Sequence, residues 1–186
     1  MKYRVFGSAL LVCLLFGMQN ASAERLSDIS NYRDYTATFS SSGQPDAAQL
    51  ELLKSAGFEQ VIYLAFTTSH TAIAKEDEIV KELGMEYIHI AVDFENPTAS
   101  DFYTFVALMQ RNPDKKTLLH CQVNFRASSF SFLYRVLYQD VPMDDAKADL
   151  DTVWAPNETW KALIFSILRE NGKSPDCDFC TWDTGK

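Results

Sequence analysis

Apolar runs and helix-spaced stretches alternate along the chain. Val61-Ile62-Tyr63-Leu64-Ala65-Phe66 is almost continuously apolar, the pattern of a strand covered on both faces. Met85 to Val92 is again mostly apolar, Lys115 to His120 predicts a fourth strand, and Tyr35 to Phe39 predicts a first. Between them, Ala47, Leu50, Leu53 and Ala56 follow helical spacing, opened by Pro45 or Asp46 and stopped by Gly57. Further helices are predicted over Glu76 to Leu83 and over Asp101 to Gln110, the second capped by Thr98 or Ser100. The last third reads as helices over Ala127 to Tyr138, Met143 to Trp154 and Asn157 to Glu170, with Pro142 and Pro156 near the starts of the final two. Arg25 to Tyr32 predicts a short helix, and Ser40 to Pro45 a turn. Alternation of this kind predicts an α/β fold, a mostly parallel sheet of four to five strands flanked by helices. Ligand sites in such sheets lie at the carboxyl ends of the strands. No internal repeat, low-complexity segment or second domain interrupts the pattern.

The amino-terminal stretch does not fit that pattern. Lys2 and Arg4 precede an apolar run from Val5 to Met18, and Ala21-Ser22-Ala23 supplies the small residues of a cleavage site. The run is shorter than the ~20 residues of a spanning helix. Residues 1–23 therefore read as a cleaved export signal. Residues 24–173 read as one domain, and residues 174–186 as a tail. The expected location is periplasmic or secreted, with no membrane anchor after cleavage. Losing Lys2 and Arg4 takes the formal charge of −8 to −10, since no acid precedes residue 24. So acidic a domain repels polyanions, which argues against nucleic acid as a partner.

Three cysteines remain after processing. Cys177 and Cys180 stand as Cys-x-x-Cys in the tail, a spacing that suits a disulfide, a redox pair or half of a zinc site. With no further His or Cys in the tail to complete a zinc site, a disulfide clasp is the favoured reading. Cys121 is then the odd thiol. It follows the apolar strand Leu118-Leu119-His120, and Arg126 comes after a short turn, where a helix begins. Unpaired N–H groups and the positive dipole end of a helix hold anions. The same field favours thiolate, and Arg adds a fork of donors suited to an oxyanion. A buried Cys at a strand end is otherwise inert packing. His120 either tunes the thiolate from behind or is a hydrogen-bonded core histidine.

These residues predict a nucleophile, Cys121, and an anion cradle made by Gln122, Val123, Asn124, Phe125 and Arg126. Ser128 is placed to donate to the thiolate. Asp93, directly after the third strand, is the candidate acid, with Glu95 as the alternative, whereas Asp101 reads as a first-turn helix acid. The chemistry they fit is attack of the thiolate on phosphorus, then hydrolysis of the phosphocysteine. It requires no cofactor and no metal.

The chain resembles bacterial members of the protein tyrosine phosphatase superfamily related to the beta-lactamase-hydrolase-like phosphatase domain. The likeness rests on Ser42-Gly43-Gln44-Pro45 with a helix ending in Ala56-Gly57-Phe58, on Val61 to Leu64, and on Leu83-Gly84-Met85-Glu86-Tyr87 leading to Ile90-Ala91-Val92. It also rests on His120-Cys121, Arg126 and Ser128, and on Trp154 to Trp160. It spans about Ser40 to Leu168 and implies the fold of dual-specificity phosphatases. It implies a phosphorylated small molecule or protein as substrate. The wider superfamily has five residues between Cys and Arg, then Ser or Thr. Here Gln122 to Phe125 are the only residues between, and Ala127 follows Arg126. Rhodanese-type sulfurtransferases carry such a shorter loop, usually with glycine and more Arg. A Cys121 persulfide chemistry, a thiol-redox role with Cys177 and Cys180, and a phosphate-binding module without turnover are the alternatives.

Overall fold

The computed structural model describes residues 25–178 and 180–182, so the expected export signal over residues 1–23 lies outside the described residues. Five strands, β1 (Arg33–Thr36), β2 (Phe39–Ser42), β3 (Gln60–Tyr63), β4 (Glu86–His89) and β5 (Thr117–His120), form one sheet in the order β1-β2-β5-β3-β4. Only β1 is antiparallel to its neighbour; the β2–β5, β5–β3 and β3–β4 pairs are parallel. The helices are α1 (Ala47–Ser55), α2 (Glu76–Glu82), α3 (Ala99–Arg111), α4 (Phe125–Tyr138), α5 (Met143–Asp151) and α6 (Glu158–Glu170). The predicted α/β architecture, mostly parallel and flanked by helices, is the observed one. Among the described residues no helix is long and apolar enough to cross a membrane.

Strand side chains alternate between the two faces. Val61 and Leu118 face a smaller core with Leu50, Leu53, Phe58, Val80 and Met85, under α1 and α2. Ile62 and Leu119 face the larger core, which α3, α4, α5 and α6 cover. Phe102, Phe105, Phe130, Tyr134 and Trp160 make the aromatic centre of that core. Phe130 lies 5.5 Å from Phe102, 6.0 Å from Phe105 and 6.0 Å from Trp160 between ring centroids. Helix α4 is buried along most of its length, from Arg126 to Val136.

Two expectations for the amino-terminal part are corrected. The helix expected over Arg25 to Tyr32 is only a single 3-10 turn, Leu26–Asp28. Ser40 to Ser42, expected as a turn, form the fully buried β2 beside β5, and the turn comes earlier, at Ala37-Thr38. A buried hydroxyl is tolerated where it is hydrogen-bonded. Ser40 Oγ donates to Asp34 Oδ1 at 2.6 Å, Ser41 Oγ pairs with the Tyr35 hydroxyl at 2.8 Å, and Ser42 Oγ donates to the Gly43 carbonyl at 2.7 Å. Helix α4 begins two residues earlier than the spacing predicted, because Phe125 stacks flat on Trp154 at 4.4 Å and holds the first turn.

The tail is tied to the domain. Cys177 and Cys180 are joined by a disulfide. Trp182 packs edge-on against Phe165 and Phe132, and Lys147 Nζ donates to the Thr181 carbonyl at 2.7 Å.

Phe130→Ala removes the ring shared by three aromatic neighbours in a site with no exposure. It is expected to cost about 3–5 kcal/mol, as large-to-small aromatic changes do. Urea denaturation checks this through a lowered midpoint at unchanged slope.

Candidate active site

Strand β5 ends at His120 and α4 begins at Phe125, so Cys121 to Asn124 make the whole connection. Asn124 takes a left-handed backbone, φ 72°, which turns the chain from strand into helix in that short span. Its amide is used outside the loop, donating to the Asn31 carbonyl at 2.6 Å, and Asn31 Nδ2 returns a bond to the Val123 carbonyl at 3.0 Å. Gln44 N donates to the Gln122 carbonyl at 3.1 Å, and Gly43 pairs with Val123. Glycine is needed at position 43 for space: a Cβ there would lie 3.0 Å from both the Gln122 carbonyl oxygen and Ser30 Cβ. The loop is thus braced from two segments, Asn31 ahead of β1 and Gly43-Gln44 on the chain leaving β2.

Cys121 is fully buried and is the free thiol among the described residues. Arg126, the second residue of α4, is almost as buried. Its Nε donates to the Val92 carbonyl at 3.1 Å and its Nη1 to Gln122 Oε1 at 3.2 Å, and its guanidinium lies 5.0 Å from the Phe94 ring centroid. The Gln122 amide also pairs with His70 Nδ1 at 3.3 Å, so it bridges the loop after β3 to the arginine. Cys121 and Arg126 thus lie at the two ends of the short connection from β5 to α4, and Gln122 links that connection to the loop after β3.

Asp93 follows Val92 and so enters the site beside Arg126. Its Oδ2 accepts from Asn96 Nδ2 at 3.1 Å and its Oδ1 from Glu95 N at 2.9 Å. The Asn96 amide first, then the Glu95 N–H and the Arg126 charge, hold this carboxyl below the usual carboxylate range. It rests ionised, and it must exchange partners before it can deliver a proton. The loop is held by the α6 side of the molecule: Trp160 Nε1 donates to the Phe94 carbonyl at 2.9 Å, and the Phe94 ring packs against Trp154 and Trp160. Glu95 is exposed on the same loop. Asp101 accepts from Thr98 N and Oγ1 and completes the cap of α3, as its first-turn reading implied. The Ser128 hydroxyl donates to the Phe125 carbonyl at 3.2 Å, not to the thiol as expected. Serine in a first helical turn bonds backward to the preceding turn.

Sequence reasoning missed the braces Asn31, Gly43 and Gln44 as parts of the site, and it missed Glu76. Glu76 opens α2 and looks like any first-turn acid, yet its side chain is 4% exposed and its Oε1 stands 3.2 Å from His120 Nε2. Gln44 Nε2 donates to the same oxygen at 2.7 Å. Burial raises the Glu76 carboxyl to about 7 and lowers the fully buried His120 imidazole to about 3. The contact is thus between a neutral ring and an acid poised near neutrality, not a standing ion pair. The His120 ring stacks on Tyr63 at 4.7 Å, and neither of its nitrogens makes a well-aligned hydrogen bond.

This pair sets a pH dependence. Unfolded, the two groups titrate at 4.5 and 6.5; folded, at about 7 and about 3. Between pH 4.5 and 6.5 both states hold one proton on the pair, and its contribution is flat. Below 4.5 the unfolded chain binds a second proton and stability falls toward pH 3. Above 6.5 the unfolded chain has lost the proton that the folded carboxyl keeps, so stability falls as the pH rises to 7. Glu76→Gln removes the carboxyl's share. Its gain over the parent chain should grow between pH 4.5 and 7, reach about 1–3 kcal/mol and then level off. Urea denaturation of both proteins across that range is the check. Gly43→Ala should displace the Gln122 carbonyl and weaken oxyanion binding at the loop by about tenfold or more; tungstate titration followed by calorimetry reads the loss.

A family model described as DSP-PTPase phosphatase fused to NAD+ kinase matches residues 18–153. No curated relative matches the chain. Among solved structures, a putative phosphatase (DUF442) from Shewanella putrefaciens CN-32 is 33% identical, with 78% of this chain and 93% of that chain covered and a TM-score of 0.71. PTPMT1 in complex with PI(5)P is 13% identical, covering 76% and 96%, with a TM-score of 0.64. The core catalytic domain of the PP-IP phosphatase SIW14 from S. cerevisiae is 13% identical, covering 77% and 94%, with a TM-score of 0.61. The last two share the fold; the family match and the Shewanella phosphatase go further, and with them the chain belongs to the dual-specificity-like phosphatases of the protein tyrosine phosphatase superfamily.

Proposed function

We propose that the chain is an exported, cysteine-dependent phosphatase that hydrolyses a phosphate monoester through a phosphocysteine. The observation that supports this reading is the placement of Cys121 at the end of β5 and of the buried Arg126 in the first turn of α4, with four residues between them. A phosphoryl group bound there faces the loop N–H groups and those that the first turn of α4 leaves without intrahelical partners. Cys121 thiolate forms the S–P bond as the P–O bond to the leaving group breaks. Arg126 and the N–H groups stabilise the equatorial oxygens. The leaving oxygen takes a proton from Asp93, after that carboxyl exchanges its Asn96 and Glu95 partners and takes up a proton from solvent. Water then attacks phosphorus, Asp93 accepts its proton, and inorganic phosphate and thiolate separate. Rotation of the Ser128 hydroxyl away from Phe125 lets it donate to the departing thiolate. The substrate is a phosphorylated small molecule or protein.

Export rests on Lys2, Arg4, the apolar run to Met18 and Ala21-Ser22-Ala23. The Cys177–Cys180 disulfide suits an oxidising compartment. The four-residue loop favours one second reading, sulfur transfer through a Cys121 persulfide, since a shorter loop encloses a smaller anion.

Purified protein assayed for aryl phosphate hydrolysis and for thiosulfate-to-cyanide sulfur transfer separates the two. Phosphate release should be abolished in Cys121→Ser and reduced about 10²–10³-fold in Arg126→Ala. Sulfur transfer alone would establish the second reading. Phosphate binding without turnover in either assay would make the chain a binding module.

A further inference from the structure

The Glu76–His120 contact has no part in the mechanism above, and it is costly. A buried carboxyl and a buried imidazole stand against each other, with an amide-bearing Gln44 clamping the acid from the loop after β2. An acid kept protonated up to neutral pH lowers stability at every higher pH. A glutamine would fill the same space without that loss. The pair lies on the α1 and α2 face of the sheet, while Cys121, the next residue, turns into the larger core. Its position directly behind the nucleophile gives the cost a use.

We propose that Glu76 is a positioning residue for the Cys121 nucleophile, acting through His120: its carboxyl fixes which imidazole nitrogen carries the proton, and its charge state sets the field at the thiol. The inference rests on Cys121 being the reacting group of a phosphatase. The 3.2 Å contact is not aligned as a hydrogen bond at rest; on a small turn of either side chain a protonated Glu76 donates to His120 Nε2 and leaves the N–H on Nδ1. An ionised Glu76 accepts from Nε2–H and leaves Nδ1 bare. The Cys121 backbone and His89 are the other polar neighbours of the ring, so the switch changes what the ring presents where the loop starts. It also places or removes a negative charge near the thiol.

The groups around the pair fit such a relay. Tyr63, stacked on His120, donates its hydroxyl to the Phe66 carbonyl at 3.0 Å. Burial above all, with Glu76 and Cys121 adding to it and Ser69 and Arg126 opposing, pushes that hydroxyl up to about 12. From β4, Tyr87 and His89 face the same cleft of about 370 Å³; Lys75 and Asp77 flank Glu76 on its own segment, and Lys81 lies one turn on. Lys75 pairs with Glu78 and Lys81 with Asp77, so neither lysine is committed to Glu76. Gln44 bonds directly to the carboxyl and the Tyr87 hydroxyl stands beside it; the Gln44 amide serves the charged and the neutral form alike.

Two readouts on the parent chain and Glu76→Gln test the assignment. The first is the ultraviolet thiolate signal across pH, taken as the difference from the same protein carrying Cys121→Ser. The second is the pH profile of kcat/KM for aryl phosphate. Above neutral pH the variant lacks the carboxylate charge. Its thiolate-to-thiol ratio should then exceed the parent's by about threefold or more at equal pH, half a unit of displacement. The limb of the rate profile belonging to Glu76 should vanish. Superimposable thiolate titrations would overturn the proposal whatever the rates show. Displaced titrations without phosphate release from either protein would uphold the relay while removing the phosphatase reading. The denaturation series above establishes that Glu76→Gln is folded.

Discussion

β5 and α4 are both buried, and four residues join them. A connection that short has to reverse direction while its backbone polar groups stay paired. Asn124 supplies the reversal with a left-handed backbone, and Asn31, Gly43 and Gln44 bond or make room for the outward side of the loop. That leaves the other side of the turn, where the first N–H groups of α4 are not used within the helix, to face an anion. The site is therefore a consequence of how strand and helix are joined. Its bracing comes from the segment ahead of β1 and from the chain leaving β2, which supply none of the candidate reacting groups.

The same joint couples the two faces of the sheet. Cys121 and Arg126 belong to the side covered by α3 to α6, where Trp160 and Phe94 hold the loop bearing Asp93. His120 points to the side covered by α1 and α2, where it meets Glu76. Neighbouring residues thus face opposite ways, the Cys121 thiol into the larger core and the His120 ring toward Glu76. Arg126 adds a second link: its bond to the Val92 carbonyl ties the anion clamp to the segment that delivers Asp93.

Much of this was legible in the sequence. The runs around Val61 and Leu118 marked the central strands, because strands buried on both faces have few ways to look otherwise. The positions of Cys121, Arg126 and Asp93 at strand ends and a helix start were legible, because each follows or opens a strongly patterned element. Ser40 to Ser42 were not, because three serines look like a turn unless Asp34 and Tyr35 are known to lie across a hairpin from them. Glu76 was hidden for a similar reason. An acid in a first helical turn is ordinary, and only the crossing of α2 over the end of β5 shows that this one is buried against His120. Ser128 was placed correctly on its helix, but spacing alone gave no sign that its hydroxyl bonds back to Phe125.

The central claim is that Cys121 carries the phosphoryl group. Mixing the protein with an aryl phosphate, quenching in acid within the first turnovers and mapping the adduct by mass spectrometry tests it most directly. The account predicts one phosphoryl group, on the peptide containing Cys121, that appears and decays with turnover. Phosphate release with no adduct on that peptide, or an adduct on another residue, would contradict it.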